Sequence, residues 1–182
     1  MTVEVMTRGV TALDAMDRDR LAEHLRACCG SSHWVDAMIA RRPFTTLAAL
    51  LTASDDVCKS MSREDWLEAF SHHPRLGELQ AAVQQGERAK GWSAREQAGL
   101  MTAGTDVRTA LAAANVAYEE RFGFICIICA TGKDPEELLA ITRARLGNSP
   151  KIELRIAAEE QRKITRIRLE RLLRDLGAPA AS

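Results

Sequence analysis

Net charge is the first thing this 182-residue chain lacks. Lys+Arg and Asp+Glu number 25 each, so there is no basic excess of the kind that tracks nucleic acid. The tail is locally basic (Arg162, Lys163, Arg166, Arg168, Arg171, Arg174), but Glu159, Glu160, Glu170 and Asp175 answer it, and a solvated helix face is the expectation. Aromatics are scarce at 4%, and strand-like alternation is equally scarce, which argues against a sheet protein. No apolar run approaches the roughly 20 residues of a membrane span. The opening residues Met1-Thr2-Val3-Glu4-Val5 have neither the charged nor the apolar region of a signal peptide. The closing Ala178-Pro179-Ala180-Ala181-Ser182 is no peroxisomal address. A cytoplasmic protein without nucleic-acid or membrane partners is expected.

The five cysteines are odd in number and not spaced like a secreted scaffold, so reduced, mostly buried thiols are expected. Cys126-x-x-Cys129 lies inside an apolar run and lacks the second pair that a zinc site needs. Zinc held by His72, His73 and Glu96 would require two adjacent histidines, an awkward pair of ligands, and no His-x-x-x-His occurs. No metal is expected.

What the chain has is helical periodicity. Asp17 is placed to cap a helix carrying Leu21, Leu25 and Cys28 that stops at Gly30-Ser31-Ser32. A short helix follows from about His33 to Ala40. Thr45 or Thr46 can cap the next, and Ser62 opens one that buries Trp66, Leu67 and Phe70. Residues 79–91 read as a weakly patterned connection, with a new helix starting at Ser93. A long Ala-rich helix spans 106–120, broken at Gly123. Asp134-Pro135 and Ser149-Pro150 each place a proline at a first helical position. The last helix takes an apolar side from Ile152, Ile156, Ile164, Ile167 and Leu172. The expectation is an all-α fold, one bundle domain of about eight helices over residues 1–182.

Chemistry concentrates in two stretches. Ser71-His72-His73-Pro74-Arg75-Leu76-Gly77 holds half of the four histidines. The proline disfavours a helical conformation for His73, and an imidazole at a helix exit can serve a cleft. Ser93-Ala94-Arg95-Glu96-Gln97 adds a hydroxyl, an acid and an amide. Ser93-x-x-Glu96 alone reads as a capping box. Arg145-x-x-Asn148 reads as satisfying carbonyls at a helix C-terminus rather than as an anion site. Trp34, Trp66 and Trp92 read as core or edge anchors.

Together with Ala27-Cys28-Cys29-Gly30-Ser31-Ser32-His33-Trp34, Tyr118-Glu119-Glu120-Arg121-Phe122-Gly123-Phe124, Thr131-Gly132-Lys133 and Arg145-Leu146-Gly147-Asn148, these stretches give a pattern. From about Gly9 to Leu173 the chain resembles 2-oxo-4-hydroxy-4-carboxy-5-ureidoimidazoline (OHCU) decarboxylase, of uric acid degradation. The resemblance implies an all-helical homodimer, without metal or organic cofactor, that converts the small molecule OHCU to (S)-allantoin and CO2. It implies a catalytic His73 and Glu96, with Pro74, Ser93, Ala94, Arg95 and Gln97 around the substrate. It implies a wall formed by Phe124, Ile125, Cys126, Ile127 and Ile128, whose backbone also meets the ligand. Many family members carry phenylalanine where this chain has Cys126, and His72 is an extra imidazole. Ser93 and Glu96 would also present a helix N-terminus to an anionic ligand. Two other classes stay open: a helical interaction module using the last helix, and a metal-dependent hydrolase that chelation would silence.

Overall fold

The computed structural model describes residues 3–76, 87–96 and 103–179. They form α1 (Val3–Asp14), α2 (Arg18–Cys28), α3 (Ser32–Ala40), α4 (Leu47–Ser60), α5 (Arg63–Ser71), α6 (Glu87–Glu96), α7 (Thr105–Phe122), α8 (Pro135–Arg145) and α9 (Pro150–Gly177). Among the described residues there is no strand. The fold is all-α, with nine helices described where about eight were expected.

Short-range capping sets most of the starts. Asp17 accepts from the Arg20 N–H, Ser31 from Trp34, Thr46 from Ala49 and Asp134 from Glu137. Ser62 and Asp65 make a reciprocal box at α5: Ser62 Oγ accepts from the Asp65 N–H at 3.2 Å, and Asp65 Oδ2 accepts from the Ser62 N–H at 2.8 Å. Each satisfies a backbone donor that a helix start leaves over.

Three expectations need correction. The helix expected to begin at Ser93 begins at Glu87, so Ser93 lies in its interior and Glu96 at its end. Neither caps a start nor presents an N-terminus. Residues 77–86 and 97–102, which include the rest of the expected connection and Gln97, lie outside the described residues. On α9, Ile152 is exposed, whereas Glu153, Gln161, Thr165 and Arg168 are buried. The buried face mixes these with Ala157, Ile164, Leu169, Leu172 and Leu173, so the expected apolar side holds at Ile164 and Leu172 and is interrupted by polar groups matched with partners from distant chain. Arg168 is one of them: at 2% exposure it donates to the Ala27 carbonyl and is no part of a solvated face. Arg162 and Arg166 both pair with Asp55.

The chain divides into two compact units, Met1–Trp66 with Arg162–Ser182, and Leu67–Gln161. In the first, α3 packs on α2 and α4, and α1 packs on α4. Leu13, Leu21, Leu25, Trp34, Met38 and Leu50 are fully buried there. Two glycines bring the first and last helices backbone to backbone. A methyl on Gly9 would stand 2.1 Å from the Leu173 carbonyl oxygen, and one on Gly177 would stand 2.0 Å from that of Val5. In a free helix, Gly→Ala stabilises by up to about 1 kcal/mol. Here Gly9→Ala is expected to destabilise by about 1–3 kcal/mol through overpacking, read as a lowered urea midpoint. A raised midpoint would contradict the close approach.

The second unit packs α7 on α8. Leu76, Leu111, Ala114, Tyr118, Phe122, Cys126, Ile128, Leu138 and Leu139 cluster as its core. All residues singled out for chemistry belong to this unit.

Candidate active site

The histidine turn grows out of the end of α5. After Ser71 the chain tightens: the His72 N–H donates to the Ala69 carbonyl at 3.3 Å, and the His73 N–H to that of Phe70 at 3.0 Å. Proline then stops any continuation. His72 and His73 are half-buried, Pro74 is buried and Arg75 is exposed. Beyond it, Arg75 makes a two-pronged bridge to Glu119, Nε to Oε1 at 2.5 Å and Nη2 to Oε2 at 2.8 Å. Asn115 Nδ2 donates to the Leu76 carbonyl at 2.8 Å.

On α6, Ser93 is buried, Glu96 is half-buried, and Ala94 and Arg95 are exposed. Glu96 lies near enough to Cys129, just past the wall, to bear weakly on its thiol. Burial raises the Cys129 thiol most, a backbone hydrogen bond from Thr131 opposes this, and the carboxylates of Glu160 and Glu96 add to the rise.

The wall follows α7. Gly123 takes the left-handed conformation (φ 76°) that ends the helix, and residues 124–130 run on without regular structure. Phe124 packs against Phe70 at a centroid distance of 5.3 Å and edge-on to Tyr118 at 5.8 Å. Thus the start of the wall meets the helix end that carries His73. Two backbone groups bond internally: the Ile127 carbonyl accepts from Arg145, and the Cys129 N–H donates to Glu160. Among the described residues, no acceptor meets the N–H groups of Ile125, Cys126, Ile127 and Ile128, and the last three of these residues are buried. Buried, unpaired backbone donors are uncommon.

Beneath the wall lies a polar network that the sequence alone did not reveal. Arg145 donates through Nε to Glu153 Oε1 at 2.7 Å, through Nη1 to the Ile127 carbonyl at 2.7 Å and through Nη2 to Tyr118 Oη at 3.2 Å. The Tyr118 hydroxyl donates to Glu153, and Asn148 Nδ2 donates to the other Glu153 oxygen at 2.7 Å. Burial, with Cys126 and Glu153 beside it, holds the Tyr118 hydroxyl well above its ordinary pKa, so it stays a donor. Cys126 borders this network, 3.9 Å from Thr142 Oγ1, and burial pushes its thiol up to about 11. All five cysteines are buried and none is in a disulfide, and Trp34, Trp66 and Trp92 are buried. Arg145 and Asn148 are neither an anion site nor simple helix-end caps: they hold Glu153 and the wall. One readable signal existed, the placement of Glu153 a single turn into an otherwise packed helix.

These elements follow an order that other proteins share. The profile of the OHCU decarboxylase family matches residues 14–170. The uric acid degradation bifunctional protein TTL of Arabidopsis thaliana is 37% identical over 150 residues, 82% of this chain and 46% of that protein. The chain thus spans less than half the length of the bifunctional relatives it matches. The 2-oxo-4-hydroxy-4-carboxy-5-ureidoimidazoline decarboxylase of Mus musculus is 33% identical over 138 residues, 75% of this chain and 76% of that one. The crystal structure of an OHCU decarboxylase in the presence of (S)-allantoin superposes with a TM-score of 0.72 at 35% identity, covering 83% of this chain and 97% of that one. By its helices, its motifs and the extent of the match, this chain belongs to the OHCU decarboxylase family.

Proposed function

We propose that this chain is a carboxy-lyase of uric acid degradation that decarboxylates OHCU to (S)-allantoin without a metal or organic cofactor, working as a cytoplasmic homodimer. The observation that carries the reading is the run of backbone N–H groups from Ile125 to Ile128, the last three of them in buried residues, joined through Phe124 to the helix end bearing His73. OHCU, with its carboxylate, ring carbonyl and ureido carbonyl, supplies acceptors for such donors.

Loss of CO2 leaves an electron pair on a ring carbon, tolerable because it conjugates into the unsaturated ring. Three tasks remain for the protein: to hold the carboxylate out of the conjugated plane, to stabilise the shifted charge, and to deliver a proton to one face. His73 is the general acid. Glu96 orients its imidazole or accepts from substrate N–H groups, and a carboxylate nearby favours the protonated imidazole that an acid needs. Ser93 and Gln97 bond the ureido edge, Pro74 and Phe124 supply apolar contact, and Ala94 and Arg95 flank them. Cys126 shapes the wall differently from a phenylalanine. Protonation from one face gives one enantiomer.

The test uses OHCU generated freshly from urate by urate oxidase and hydroxyisourate hydrolase, followed by circular dichroism for (S)-allantoin after chelator treatment. Rapid formation of the single enantiomer is expected. Decay at the spontaneous rate would overturn the assignment, and activity lost on chelation would overturn the cofactor-free part.

A further inference from the structure

Helix α7 touches both sides of the candidate site through different residues. Asn115 and Glu119, one turn apart and so on one face, hold the backbone of Leu76 and the side chain of Arg75. Four residues past Glu119, Gly123 ends the helix and launches the wall. The His73-Pro74 turn is therefore fixed at both ends, by the Phe70 carbonyl before it and by α7 after it.

We propose that Asn115 and Glu119 are positioning residues, by which α7 sets where the His73 imidazole stands relative to the Phe124–Ile128 wall. The two act differently. Asn115 is buried, and its amide donates to the Leu76 carbonyl three residues past His73. The Arg75–Glu119 bridge is part-exposed, 47% at Arg75 and 25% at Glu119, so solvent screens it and its contribution to stability is modest, but its two-pronged geometry fixes direction. Catalysis is steep in distance: a misplacement of about 1 Å costs up to roughly 100-fold in rate. A contact worth little to stability can thus matter to turnover.

The proposal rests on the decarboxylase reading for its kinetic consequence but not for its geometry, and the test separates them. Arg75→Glu, Glu119→Arg and the double exchange are compared with wild type in two measurements: OHCU turnover, and the NMR shifts of the His73 amide and imidazole. Each single variant is expected to melt within a few degrees of wild type, to lose about 10-fold in kcat with little change in KM, and to shift the His73 resonances. The double exchange restores both. Asn115→Asp keeps the size but exchanges the amide donor for an acceptor, and is expected to give the same kcat loss. Single variants with unchanged His73 resonances, or a double variant no better than the singles, would overturn the proposal. If wild type does not accelerate OHCU loss but the resonances shift and return, the clamp stands and the decarboxylase reading falls.

Discussion

His73→Asn is expected to lower OHCU turnover by about 10²–10⁴-fold in a folded protein. At about 1.4 kcal/mol per tenfold, this asks roughly 3–5.5 kcal/mol of one proton transfer. Asparagine approximates the size and keeps a donor, but has no acidic proton to give. The backbone has no reason to move, because the His73 N–H to Phe70 bond and the burial of Pro74 do not involve the imidazole. Residual activity would report what the wall and Ser93 contribute by binding alone. Product analysis adds a second reading, since allantoin that still forms should lose its handedness once protonation is left to water. A folded variant with unchanged rate would remove His73 from the chemistry.

The second large effect concerns stability. Arg145→Met should destabilise the protein by about 3–5 kcal/mol, the usual consequence of stranding one partner of a buried ion pair. Glu153 is fully buried at 0% exposure and would be left with the Tyr118 hydroxyl and the Asn148 amide, while the Ile127 carbonyl would lose its donor. Pairing the change with Glu153→Leu should recover much of the loss, because apolar replacement of both partners is often close to neutral. Urea unfolding of the two variants decides it. An Arg145→Met protein within about 1 kcal/mol of wild type would mean that water already shares the load.

The helices that sequence reading placed well are those whose starts are local. Asp17, Thr46, Ser62 and Asp134 each bond a backbone N–H three residues on, so the signal and its cause lie in one turn of chain. Ser93-x-x-Glu96 has the same appearance and a different outcome, because a serine inside a helix is stable when folding buries it with a partner. Helix α1 gives no local signal: its β-branched residues and Gly9 are weak helix formers, and its close approach to α9 is a tertiary fact. The site divides in the same way. The candidate residues stand out as motifs, but the bonds around them join Arg75 to Glu119 and Tyr118 to Glu153, across separations that no local pattern encodes. The resemblance points to His73 and Glu96 as candidates, whereas Asn115, Arg145 and Glu153 come from geometry alone.

The division of α9 between the two units has a consequence for how the protein is made. Leu67–Gln161 is one continuous stretch, whereas the other unit needs both Met1–Trp66 and Arg162–Ser182. Translation at about 5–20 residues per second leaves the first four helices waiting roughly 5–20 s for the segment that covers Gly9 and bonds Ala27. During that interval the unit made second can close first, since its contacts are nearer in sequence. The unit made first carries its apolar surface uncovered until the end. Nascent-chain aggregation is therefore expected to start from the N-terminal helices rather than from the unit that carries the candidate site.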